Sequence, residues 1–184
     1  MRYFTCILFS LCVSCSDTKT NTVNNAVSNS NILSFEKSGL NSIEGAQSEK
    51  KINDIAYSIK MIAGEDIEKV YKGKLEANSM EYTNFTCFIM DIQLEDNSDI
   101  VNYPSPYFKT LNDKIQYLSF SIKDFIKVKS GTGEYNCINS TYERSYGQLP
   151  YSRFFLVFEK LPSSNITFTF NDMYFNNGII NFKI

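Results

Sequence analysis

The chain of 184 residues contains no histidine and no tryptophan, and only four prolines. Without an imidazole, Ser-His-Asp and Cys-His catalysis are excluded, as are zinc sites built on histidine. Acid–base chemistry would fall to carboxylates, lysines, tyrosines and hydroxyls. The basic excess that nucleic acid demands is missing too: 18 Lys and Arg stand against 20 Asp and Glu, a net charge of −2, so no nucleic-acid partner is expected. No glycine-rich phosphate loop or other cofactor motif occurs, and no cofactor or metal is implied. All aromatic content comes from 15 Phe and 12 Tyr, a composition that favours strands.

The first apolar run, Tyr3 to Ser14, follows Arg2 and stops at Cys15. It is far shorter than the ~20 apolar residues a membrane-spanning helix needs, but it has the layout of a signal segment. Small residues Val13 and Ser14 precede a cysteine that a polar stretch follows at once. This arrangement resembles a bacterial lipoprotein signal. The resemblance implies a signal peptide at 1–14, removed before a lipidated Cys15, and a protein held at the bacterial cell envelope through palmitate-type acyl chains, at the outer membrane or cell surface. Loss of Arg2 would take the net charge from −2 to −3. An ordinary secretory signal, giving a secreted protein, is the alternative.

Residues 16–31 are polar and aperiodic, and a mostly disordered tether is expected over 15–47. Ile52, Ile55, Ile59 and Ile62 then recur at intervals of three and four. That spacing predicts an amphipathic helix over 48–64, ending at Gly64. Its isoleucine face would pack on the following domain or dock on a partner.

From residue 65 to 184 the pattern turns to short strands between turns. A weak strand is expected at 67–76 and a clear one at 82–95, where Phe88, Met90, Ile92 and Leu94 alternate with a wetter face of Ile89, Asp91, Gln93 and Glu95. Asp96-Asn-Ser-Asp99 supplies a turn. Alternation at 115–122 predicts a third strand, and Ile126 and Val128 extend it or begin another. Residues 134–151 read as a long tyrosine-rich connection. Apolar strands follow at 152–159 and 166–170, and 173–182 reads as a hairpin with Asn177-Gly178 at its tip. About seven short strands with regular turns predict a mainly β fold, an antiparallel sandwich.

Residues 75–172 resemble an immunoglobulin-like domain found in exported bacterial lipoproteins, a family without assigned activity. The likeness rests on the strand Phe88–Asp99 that ends in Asn-Ser-Asp, on a middle strand pair, and on Leu149-Pro-Tyr-Ser-Arg-Phe-Phe-Leu-Val-Phe-Glu-Lys-Leu-Pro162. It implies an immunoglobulin-like β-sandwich and an address, not a reaction.

Cys87 and Cys137 are the two cysteines beyond the signal region, and an oxidising compartment would favour a disulfide between them; two free buried thiols are the alternative. The segment 135–153 concentrates tyrosine and holds Arg144 and Arg153, the only arginines besides Arg2. Tyr and Arg dominate binding hot spots, so Tyr142, Arg144, Tyr146, Tyr151 and Arg153 are candidate contacts to a protein or glycan partner, with Tyr103 and Tyr107 as neighbours. No catalytic residue is assigned. The expected role is non-covalent binding at the envelope. A structural accessory subunit docking through helix 48–63 is the alternative, and a carboxylate hydrolase the least favoured.

Overall fold

The computed structural model describes residues 45–62, 66, 84–162 and 165–184, all within the unit Ser38–Ile184. The signal segment 1–14, Cys15, nearly all of the tether and the strand expected at 67–76 lie outside the described residues.

Two antiparallel sheets pack face to face. One contains β1 (Gln47–Ile52), β2 (Ile55–Ile62), β3 (Phe85–Leu94), β6 (Asn139–Glu143) and β7 (Tyr151–Glu159), in the spatial order β1-β2-β3-β7-β6. The other contains β4 (Ile126–Ser130), β5 (Gly133–Asn136), β8 (Ile166–Asp172) and β9 (Gly178–Lys183), in the order β5-β4-β8-β9. The core between them is built mainly from isoleucine and phenylalanine. Phe88 on β3 meets Phe158 on β7 and Phe168 on β8, each with ring centroids 5.4 Å apart. Edge and tilted contacts of this kind add about 0.5–1.5 kcal/mol per pair beyond area burial.

The chain departs from the sequence reading in five places. Within the helix expected over 48–64, residues 48–62 belong to a hairpin of β1 and β2, and 63–64 lie outside the described residues. Asn53 takes φ +53°, the sign the first position of a tight two-residue hairpin loop requires, and Ile52 pairs with Ile55 across it. Ile55 and Ile59 are four apart and share a face in a strand as they would in a helix, so isoleucine spacing alone did not separate the two. Tyr57 between them joins the same core face.

Residues 115–122 are helical rather than extended. The helix α1 (Leu111–Gln116) starts with Thr110, whose hydroxyl accepts from Asp113 N at 3.1 Å while the Asp113 carboxylate accepts from Thr110 N at 3.2 Å, a reciprocal cap. It continues as a π-helical turn (Tyr117–Ser121) and a 3-10 turn (Ile122–Phe125). Leu118 and Ile122 are buried while Phe120 is 64% exposed, the pattern of a helix face. Lys114 donates to the carbonyls of Val101 at 3.1 Å and Tyr103 at 2.7 Å, which ties α1 to the preceding loop.

Residues 134–151 are not one connection: they hold the end of β5 and all of β6. Met173 to Asn177 form the turn between β8 and β9 rather than a strand. The expected wet face of β3 is dry as well: Cys87, Ile89, Asp91 and Gln93 are buried, as are Tyr151, Arg153, Phe155 and Val157 beside them on β7.

A polar chain ties the sheets together. Tyr57 on β2 donates to Asp172 Oδ2 at 2.5 Å, and Phe175 N donates to Asp172 Oδ1 at 3.0 Å. Asn177 Nδ2 donates to the Tyr57 hydroxyl at 2.8 Å, and Asn53 Nδ2 donates to Asn177 Oδ1 at 3.1 Å. Asp172 is 1% exposed. Burial raises its carboxyl pKa, opposed by the bonds from Phe175 N, Tyr57 and Asn177. Burial and the Asp172 charge push the Tyr57 phenol far up, so it stays a donor.

Two outcomes follow. Tyr57→Phe strands Asp172 and is expected to cost about 1–3 kcal/mol, read from chemical denaturation. An acid whose folded pKa is raised binds its proton more tightly when folded, so its favourable contribution is full below the unfolded value and is lost as pH rises through the folded value. The stability of the native chain relative to Asp172→Asn should therefore grow as pH is lowered through the raised folded pKa toward the ordinary carboxylate range. A difference that stays constant with pH would contradict the raised pKa.

Candidate functional site

The strand pairings gather four loops at one end. β3 finishes at Leu94 opposite Ile55, where β2 begins, and Gln93 lies opposite Tyr151, where β7 begins. The turn 53–54, the segment 95–109, the loop 144–150 and the turn 173–177 therefore share this end. Side chains confirm it: Tyr174 OH donates to Ile100 O at 2.9 Å, Ser105 Oγ to Tyr174 O at 2.7 Å, and Tyr107 OH to Asn176 Oδ1 at 3.3 Å. Stacked Phe108, Tyr117 and Tyr174 fill the space beneath.

The five candidate contacts separate into three groups. Tyr142 points inward and stacks on Phe154, centroids 4.9 Å apart and planes 16° off parallel; burial raises its phenol to about 12. Tyr151 and Arg153 are buried on the opposite face of β7. Arg153 grips Asp91, directly across from it in register, through Nε at 2.7 Å and Nη2 at 2.6 Å, with Tyr151 stacked at 4.7 Å. Burial pushes the Asp91 carboxyl up, and the guanidinium opposes this. A bidentate pair on neighbouring strands fixes their register, because a one-residue slip would part the charges. These three are parts of the fold, not of a free surface. Only Arg144 and Tyr146 remain at the solvent side.

Arg144 is held from below. Its Nε donates to Asp99 Oδ2 at 3.1 Å. Asp99 is itself buried, and its other oxygen accepts from Val101 N at 3.1 Å to start the 3-10 turn Ile100–Asn102. Arg144 in turn lies 4.6 Å from the Tyr146 ring centroid. Tyr146 is 73% exposed. Asp99 was read in the sequence as a turn residue, and nothing in a linear reading pairs it with an arginine 45 positions away.

At the same end of the sandwich lies a cleft of about 290 Å³ lined by Asp54, Leu94, Glu95, Asp96 and Tyr103. Tyr103 is braced by Phe175, centroids 4.9 Å apart. Lys51 pairs with Glu95 at 3.2 Å, and Asp96 accepts from Ser98 N at 2.9 Å, which lowers its pKa. Among the described residues, no group of three Asp, Glu, Cys or His side chains is placed to hold a metal.

The expected disulfide does not form. Cys87 and Cys137 are free, buried thiols. Cys87 lies opposite Val157, whose other neighbour is Asn139 on β6, so β7 separates the two cysteine-bearing segments. Two strand spacings are about 10 Å, beyond the ~7 Å Cα limit for a bridge. Burial raises Cys87 to about 12 and Cys137 to about 11, which makes both poor nucleophiles.

Alkylation mapped by peptide mass should therefore modify neither Cys87 nor Cys137 in the native protein and both after denaturation, with or without reductant. Arg153→Ala should destabilise by about 3–5 kcal/mol, since it leaves a buried carboxylate unpaired. Arg144→Ala, at a more exposed pair, should cost about 1 kcal/mol. Equal losses in thermal or denaturant unfolding would overturn this division between fold and surface. No family model, curated protein or solved structure matches the chain, and the site stands on its own geometry.

Proposed function

We propose that the chain is a lipid-anchored protein of the bacterial cell envelope whose β-sandwich binds a protein or glycan partner non-covalently at the end that carries Tyr146. The apolar run ending at Cys15 and the polar stretch after it support the anchor. Acyl chains contribute about 0.8 kcal/mol per buried CH₂, and stable anchoring takes more than one chain. The sheet order supports the immunoglobulin-like reading. β2-β3-β7-β6 facing β5-β4-β8-β9 matches the order A-B-E-D facing C′-C-F-G, with β1 added at one edge. In such sandwiches the loops at an end recognise partners.

The observation that carries the binding role is the exposed Tyr146 ring on an Arg144 guanidinium that Asp99 anchors. The accessory-subunit alternative loses its docking element, because residues 48–62 lie in a hairpin built into the first sheet. Charged groups at this end are engaged in ion pairs and turns, an arrangement suited to holding a partner rather than to acid–base catalysis.

Labelled palmitate should enter the native protein and not Cys15→Ala, and the variant should leave the membrane fraction. A native protein that takes no label and appears in the medium would favour the secreted alternative. A photo-crosslinker placed at exposed Gln148, in the same turn as Tyr146, should capture an envelope component that the same probe at exposed Lys129 does not.

A further inference from the structure

The backbone at Tyr146 conflicts with its side chain. Ser145 to Gln148 form a tight turn closed by Gln148 N donating to Ser145 O at 2.9 Å. Both central residues have positive φ, +51° at Tyr146 and +75° at Gly147. Such a turn favours Asn, Asp or Gly at its first central position, and a bulky aromatic there is strained. The fold nevertheless holds the turn in place. Ser145 is buried and its hydroxyl donates to Leu149 O at 3.3 Å. The strain thus maintains a tyrosine with Arg144 over its ring and most of the side chain in solvent. Strain kept at an exposed position is a mark of function over stability.

Resting on the binding role proposed above, we infer that this platform takes a neutral saccharide, one sugar ring stacking its C–H face on Tyr146. Three observations select this class. First, the ring is rigid and isolated: beside it, Gly147, Gln148 and Pro150 are exposed, and Leu149, 38% exposed, is the only other large apolar side chain of the loop. A protein partner needs about 800 Å² of complementary surface around its anchor, whereas a sugar ring needs one aromatic face. Second, the charge of Arg144 is met by Asp99 and that of Glu95 by Lys51, so neither pair offers a free cation for a polyanion to bind through. Third, this end is furnished with planar carboxylates and amides and with a second braced ring, Tyr103. Such groups accept from and donate to vicinal hydroxyls, while aromatic faces meet C–H bonds.

The strained turn supplies the separating variant. Tyr146→Asn gives the turn its preferred residue, so the fold should keep or gain stability while the platform is lost. The probes are soluble neutral hexasaccharides, one of glucose and one of N-acetylglucosamine, titrated by calorimetry and by saturation-transfer NMR. The native protein should bind at least one of them. Tyr146→Phe should bind within about twofold of the native protein, and Tyr146→Asn should bind about tenfold or more weakly with an unchanged or higher melting temperature. Binding of neither probe, or equal binding by native protein and Tyr146→Asn, overturns the saccharide inference. If the residue-148 crosslinker then captures a protein, the binding role survives with a different partner class; if it captures nothing, both fail.

Discussion

A buried carboxyl group, that of Asp172, ties the two sheets of this protein together. Asp172 closes β8, accepts from Tyr57 on the opposite sheet and from the backbone of its own turn, and lies 1% exposed. A buried acid is costly unless its lone pairs are occupied, so its presence forces the surrounding geometry. Tyr57 must reach across the core, and Asn177 must return to the Tyr57 hydroxyl. Asn53 follows through Asn177. The turns 53–54 and 173–177 are thereby fixed to each other, which sets one end of the sandwich in place. An apolar core of isoleucine and phenylalanine would hold the sheets together without this network, but apolar contact is non-directional. The hydrogen-bonded carboxyl supplies direction.

The other end loops inherit that order. Asp99 starts a 3-10 turn and anchors Arg144, which supports Tyr146. Lys114 holds the carbonyls of Val101 and Tyr103 from the side of α1. A residue in a sparsely populated backbone conformation persists only where its surroundings over-determine it, and the Ser145 and Arg144 contacts do this for Tyr146. A pre-arranged aromatic loses little conformational freedom on binding. The same economy explains why Arg153, chemically identical to Arg144, serves differently: it faces Asp91 between two central strands and fixes their register.

Much of the fold was readable where alternation and burial agree. The inward face of β3, the apolar run of β7 and the alternation of β8 all followed from period-two patterning. The reading failed where two periods coincide. Ile55 and Ile59 share a face in either structure, and Leu118 and Ile122 are consistent with a strand until Phe120 is seen to be exposed. Local chemistry decided both cases: the positive φ at Asn53 and the Thr110–Asp113 cap. The polarity of β6, Asn139 to Glu143, concealed a strand whose partner β7 is strongly apolar, because pairing is a property of two segments. The candidate site was legible as a neighbourhood and not as a set of roles. Tyrosine and arginine density marked 135–153, but which side chains reach solvent depends on strand parity and on Asp91 and Asp99, distant in sequence.

The sequence by itself determined the chemistry available: no imidazole, no basic footprint, a β-rich aromatic composition, a cysteine closing a short apolar run, and one segment rich in Tyr and Arg. Those properties depend on residue type and local spacing alone. The tertiary structure decided that Cys87 and Cys137 stay apart, that Arg153 is buried, and that Tyr146 stands exposed on Arg144. Each outcome is set by register between strands far apart along the chain, and register is a non-local balance of burial and pairing that no single segment encodes.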